Sequence, residues 1–150
     1  MDLLLRIIES LKPQPLISPK PDDNLIKAIN IIREQNKLVP LKTSPSLETT
    51  AMRKAQDMVE KGYWAHKDPK GKQAWDMMTT QKYNYAHAGE NLAKNYSNDK
   101  ETVDAWMNSK THKENILNPN YTEAGIGRSK NITANHFASP KSKILSILGL

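Results

Sequence analysis

Three residues of this chain are polar groups set in apolar surroundings: His66 after Tyr63, Trp64 and Ala65; Glu90 between Gly89 and Asn91; and His112 beyond Trp106 and Ser109. Two neutral imidazoles and a carboxylate suffice to hold a divalent ion such as Zn²⁺ with open positions, or to act as an acid–base pair on a bound substrate. Their separations, 24 and 22 positions, match no catalytic or metal-binding spacing. On spacing alone the structural alternatives are favoured: Glu90 satisfying turn amides, and His112 bonded to backbone at the start of a short helix. His87, between Ala86 and Ala88, and His136, beside Phe137, read as packed or surface histidines. Glu114 reads as part of a capping box.

Composition removes other chemistries. The 150 residues fit one domain, and the absence of cysteine excludes a disulfide framework, a thiol nucleophile and a Cys-ligated metal. Phosphate-cradling glycine loops, H-E-x-x-H and G-x-S-x-G are also missing. No apolar run reaches the ~18–20 residues that span a bilayer, and Met1–Leu11 shows neither the basic segment nor the cleavage site of a signal peptide. A net charge of +6 favours anionic partners in general. The basic residues are nevertheless dispersed, clustering only at Lys61, Lys67, Lys70 and Lys72, so solvated surface is the first reading and nucleic acid a minor one.

The elements that must position the three residues are legible in part. Leu4, Ile7, Ile8 and Leu11 have helical spacing, and Pro13, Pro15, Pro19 and Pro21 stop that helix and make a linker, so residues 1–22 precede the domain proper. Asp22 or Asp23 caps a helix with Leu25, Ile26, Ile29 and Ile32 on its apolar face and Arg33, Glu34 and Lys37 toward water. Ser44 followed by Pro45 opens a second helix carrying Leu47, Ala51, Ala55, Met58 and Val59, and Gly62 ends it. A short helix through Trp75 and Met78 precedes a strand at Tyr83, Tyr85 and His87. Asn98 with Glu101 caps a helix bearing Val103, Trp106 and Met107, and Thr111 with Glu114 caps a single turn ended by Pro119. Gly125 and Gly127, a turn at 129–131 and Ile132 to Phe137 make a hairpin. Residues 139–150 form a tail. This order predicts an α+β sandwich with a small antiparallel sheet.

Several segments, in order, resemble one family. Ala88-Gly89-Glu90-Asn91-Leu92-Ala93, then Ala105-Trp106-Met107-Asn108-Ser109, His112, Asn115-Ile116-Leu117 and Gly125-Ile126-Gly127 are similar to the CAP superfamily of cysteine-rich secretory, antigen 5 and pathogenesis-related proteins, in its short bacterial form. Asn30, Arg33, Leu38, Pro40 and Leu41 resemble its first-helix signature, and His66, Asp68, Pro69 and Gly71 its segment after the second helix. The resemblance, over about residues 25–138, implies an α-β-α sandwich domain at 23–138 and a cleft holding His66 and Glu90. Eukaryotic members carry a second Glu where this chain has Ser109, and a second His on a late strand. For this chain the resemblance implies His112 as the second imidazole, with His136 set aside because Phe137 and Ala138 fit the terminal aromatic of the bacterial pattern.

Two functions follow as expectations. The first is a secreted or cell-envelope binding module whose cleft of His66, Glu90 and His112 takes an envelope component, lipid or peptide. The second is a metal-dependent hydrolase, with His66 and His112 holding a divalent ion such as Zn²⁺ and Glu90 activating water. Family resemblance implies an extracellular or envelope location.

Overall fold

The computed structural model describes residues 23–143 and 147–150. The expected N-terminal helix and Pro-rich linker at 1–22, and Ile144 and Leu145 of the tail, lie outside the described residues. Helix α1 spans Asp23–Gln35, strand β1 Lys42–Thr43, helix α2 Pro45–Lys61 and helix α3 Ala74–Thr80. Strand β2 follows at Tyr85–Lys94, then α4 (Asp99–Met107), α5 (Lys110–Ile116), β3 (Glu123–Ser129) and β4 (Ile132–Pro140).

The strands make one sheet in the order β1-β3-β4-β2. The expected hairpin is present as β3 and β4, and β4 also pairs antiparallel with β2. The sheet is not wholly antiparallel, because β1 pairs in parallel with β3 through Lys42 and Thr43. A parallel neighbour needs a crossover; here the chain from β1 passes through α2, α3, β2, α4 and α5 before β3 begins.

Helices cover both faces. On one face, Leu25, Ile26 and Ile29 of α1, Val103 and Trp106 of α4 and Ile116 of α5 pack with Ala124, Ile126 and Phe137 of the sheet. On the other, Ala51, Ala55 and Met58 of α2 pack with Leu92, Ile132 and Ala134, while Leu47 joins Ala74 and Met78 of α3 over Ala138. Strand β4, interior in the sheet and covered on both sides, is buried from Ile132 to Ser139.

Local signals place α2. The Ser44 hydroxyl accepts a hydrogen bond from the Leu47 amide at 3.4 Å, Pro45 occupies the first turn, and Gly62 ends the helix in the left-handed region at φ 66°. Its height above the sheet is set by β3. A Cβ added to Gly125 would lie 2.1 Å from the Glu48 backbone nitrogen, and one added to Gly127 would lie 2.1 Å from that of Met52. The helix backbone therefore rests directly on two bare strand positions.

Arg33 departs from the expectation of a solvent-facing side chain, being fully buried. Its guanidinium donates to the carbonyls of Val39 at 2.9 Å, Ile116 at 2.9 Å, Asn118 at 2.9 Å and Tyr121 at 3.1 Å. The carbonyls left open at the end of α5 and in the loop after it make this position a cation site, where a planar fork of donors fits. The capping box expected at Thr111 and Glu114 is also replaced, since α5 begins earlier, with Ser109 at its N-cap.

Replacing Gly127 by Ala forces α2 off the sheet or distorts β3. The expected cost is ~2–3 kcal/mol, read as a lower urea midpoint with an unchanged slope.

Candidate functional site

Glu90 lies within strand β2, not in a turn as the sequence suggested. Its neighbour Gly89 permits a close approach, since a Cβ there would fall 2.2 Å from the Tyr121 hydroxyl oxygen. Strand alternation points residues 89 and 91 to the α1/α4/α5 side and Glu90 to the α2 side. Only 2% of the Glu90 side chain is exposed, so its charge must be met by partners inside the protein.

Those partners are His66 and His136. His66 Nδ1 lies 2.7 Å from Glu90 Oε1, and His136 Nε2 lies 2.7 Å from Oε2. His136, expected as a packed or surface histidine, owes its place beside Glu90 to register, because the two stand directly opposite each other on β2 and β4. The far nitrogen, His136 Nδ1, lies 2.8 Å from Thr50 Oγ1 on α2, and that hydroxyl is also 3.0 Å from the Leu47 carbonyl. Thr50 has one proton: given to Leu47, it leaves the hydroxyl accepting from His136 Nδ1; given to Nδ1, it leaves His136 neutral with its proton on Nε2. Beside an ionised Glu90 the 2.7 Å contact needs a proton on Nε2, which in the first arrangement makes the His136 ring an imidazolium.

Burial is the largest single influence on the Glu90 pKa and pushes it up. Hydrogen bonds from His136 and His66, with the charges of His136 and Lys54, together outweigh burial and hold the carboxyl below its ordinary value. Glu90 is thus an ionised, doubly bonded carboxylate. It fixes the His66 ring through Nδ1 and leaves Nε2 facing solvent, since 55% of the His66 side chain is exposed. That nitrogen is an oriented acceptor or base, the same logic by which a buried carboxylate aims a catalytic imidazole.

Lys54 was not recognised from sequence. It is fully buried on α2, and its ammonium donates to the His66 carbonyl at 2.7 Å and to the Tyr63 hydroxyl at 3.3 Å. The Tyr63 ring lies 4.9 Å beneath the ammonium, and its hydroxyl donates to Asp57 at 2.6 Å. Burial lowers the Lys54 pKa, against the opposing charges of Glu90, Asp57 and Asp68. A signal existed for both missed residues of α2: Leu47, Thr50, Ala51, Lys54, Ala55 and Met58 form one buried stripe, in which Thr50 and Lys54 are the polar interruptions.

His112, on α5, is half-buried, and its pKa is lowered by burial first and by the charge of His66 second. Its carbonyl accepts from the Asn91 side chain at 3.0 Å, and Asn91 in turn accepts from Asn115 at 2.9 Å. The Asn91 side chain therefore ties α5 to β2, rather than closing a turn on its own backbone. Trp106 is buried as expected and donates to the Leu92 carbonyl at 2.9 Å.

A metal fits this arrangement poorly. Both Glu90 oxygens and both His136 nitrogens are engaged, leaving His66 Nε2 and the His112 ring as candidate donors. Among the described residues, no group of three or more His, Asp or Glu is disposed to hold a metal ion.

The profile of the Cysteine-rich secretory protein family (CAP) matches residues 26–138. The chain belongs to this family. Within it, the chain is 40% identical over 106 residues to the uncharacterized protein YkwD of Bacillus subtilis (strain 168), an alignment covering 71% of this chain and 41% of that protein. It is 26% identical over 136 residues to the uncharacterized membrane protein YlbC of the same organism, covering 86% of this chain and 39% of that one. The CAP domain here thus spans about two fifths of the length of these relatives. Among solved structures, an extracellular protein containing an SCP domain from Bacillus anthracis str. Ames superposes with a TM-score of 0.74 at 27% identity, over 77% of this chain and 39% of that one. An outer surface protein from Borrelia burgdorferi gives a TM-score of 0.73 at 24% identity over 78% and 90% of the two chains, and so shares the fold. The α-β-α sandwich of the CAP family is accordingly the fold of this chain.

The site makes the CAP domain acid-sensitive. His112 and Glu90 both have folded pKa values below their ordinary 6.5 and 4.5, so the unfolded chain binds more protons and unfolding becomes easier as pH falls. Stability should be full above about pH 6.5, fall first with His112, and fall again below about pH 4.5 with Glu90. Denaturation series across pH 3–7 should show His112→Asn removing the upper part of this dependence. Glu90→Gln should remove the lower part, with neutral-pH stability reduced by ~3 kcal/mol.

Proposed function

We propose that this CAP domain is an extracellular or cell-envelope binding module that presents His66, held by Glu90 and bordered by His112, to an envelope component, lipid or peptide. The observation that carries this reading is the full engagement of Glu90. A carboxylate that is only 2% exposed, with an imidazole bonded to each oxygen, orients those rings and is shielded from the water it would have to activate. The solved relatives described as extracellular and outer-surface proteins support the location.

The cleft would then bind through the outward nitrogen of His66, with the Thr50–His136–Glu90 chain keeping the ring in one orientation and Lys54 holding its backbone. Binding energy is gained when such a group is fixed before the ligand arrives. The hydrolase reading assigns Glu90 to water activation and His66 with His112 to a divalent ion. It requires water to reach a carboxylate that is 2% exposed and the ion to be held by two protein donors, one fewer than the usual catalytic zinc site.

The two readings separate in a pair of measurements. Cosedimentation with purified cell-wall material, phospholipid vesicles and immobilised peptides should show retention by one of these that falls at least tenfold in His66→Ala, with no turnover of ester, peptide or phosphodiester substrates. Calorimetry with Zn²⁺ at neutral pH should show no stoichiometric uptake. One-to-one uptake abolished by both His66→Ala and His112→Ala, accompanied by turnover, would overturn the binding reading in favour of the hydrolase.

A further inference from the structure

A groove of about 320 Å³ runs between the C-terminal end of α2, the turn after it and the β3–β4 hairpin, with Gly62, Trp64, Lys94, Lys130 and Ile132 among its walls. We propose that this groove binds an acidic saccharide, with a sugar ring against the Trp64 indole and its anionic group at Lys94 and Lys130.

The aromatic wall is exposed and yet fixed. Trp64 is 47% exposed, and the backbone on both sides of it is tied down. Before it, Gly62 ends α2 in the left-handed region, the Tyr63 amide donates to the Met58 carbonyl at 3.2 Å, and the Tyr63 hydroxyl is held by Asp57 and Lys54. After it, Lys54 holds the His66 carbonyl. An indole with two side-chain torsions on an anchored turn offers a large contact area at small entropic cost.

The cationic wall is equally placed. Lys94 ends β2 opposite Ile132, and its ammonium lies 5.8 Å from the centre of the Trp64 ring. Lys130 lies in the adjacent hairpin turn, at φ 50°. That turn is joined to the end of β2 by the Asn95 amide donating to the Asn131 carbonyl at 2.9 Å, and by the Asn131 side chain donating to that of Asn95. Neither amine is paired with a carboxylate among the described residues. The Lys94 ammonium over the Trp64 ring and the exposed Lys130 amine place positive charge next to an indole, a combination that suits an anion carried on a C–H-rich ring.

The size and lining choose among anionic ligands. The groove sits at the small end of ligand sites, which suits a monosaccharide-sized unit of a longer chain. It has a single exposed aromatic in its walls, whereas single-stranded nucleic acid is held by stacking successive bases on several. Its apolar walls at Ile132 and Met58 are buried in the core rather than open to an acyl chain. This inference stands apart from the proposed His66 site, since His66, Glu90 and His112 do not line the groove.

Calorimetric titration with tetragalacturonate, which carries one carboxylate per ring, tests it. Saturable one-to-one binding is expected, weakening as salt rises and at least tenfold weaker for neutral maltotetraose. Trp64→Ala and the double variant Lys94→Gln/Lys130→Gln should each lose at least tenfold in affinity with unchanged circular dichroism. Because both lysines are exposed, the double variant carries the test if Trp64→Ala disturbs the turn. The proposal is overturned by absence of saturable tetragalacturonate binding, by binding indifferent to the lysine pair, or by tighter binding of oligothymidylate or phosphatidylglycerol vesicles.

Discussion

Helix α2 rests with its backbone on β3 because positions 125 and 127 carry no side chains, and the site depends on that contact. Bringing the helix this close puts Thr50 against His136 and lets Lys54 reach the turn after the helix. Had β3 carried ordinary side chains, α2 would stand farther from the sheet. His136 would then face an apolar gap with an unsatisfied nitrogen, at a cost that a buried polar group cannot bear without a partner. The packing contact and the polar network are therefore one arrangement.

The network is built inward from one buried charge. Glu90 is ionised because two imidazoles and an ammonium surround it, and each of these is itself held by a further group: His136 by Thr50, Lys54 by Tyr63 and the His66 carbonyl, His66 by Glu90. On the opposite face Arg33 plays the corresponding part, gathering carbonyls from the loop after α1, the end of α5 and the loop before β3. With no cysteine in the chain, such buried side-chain ties supply long-range connections that disulfides provide in other small domains. The Glu90 network also responds to protons, which a disulfide does not.

Helix α2 was legible because its signals are local: Ser44 and Pro45 at the start, Gly62 at the end and an apolar stripe between. Likewise the hairpin turn at Lys130 and Asn131 and the buried Trp106 follow from short-range pattern. Strand β2 was misplaced toward its first residues because Gly89-Glu90-Asn91 has the composition of a turn, and only pairing with β4 holds it extended through Lys94. Arg33 read as solvent-facing because helical periodicity describes one helix at a time. Nothing in residues 23–35 says that the end of α5 will be brought beside it.

By itself the sequence pointed to the family, to the α-β-α sandwich and to His66 and Glu90 as members of one site, since these rest on residue types recurring in order along the chain. Only the tertiary structure decided which imidazole joins them. His136 is 46 positions from Glu90 and becomes its neighbour through strand register, while His112 remains at the border of the site. Tertiary structure also decided that β1 runs parallel to β3 and that Lys54 lies buried beneath the His66 turn. The physical reason is the same in each case: local propensity acts within a few residues, whereas register and buried charge pairing are settled only when distant segments meet.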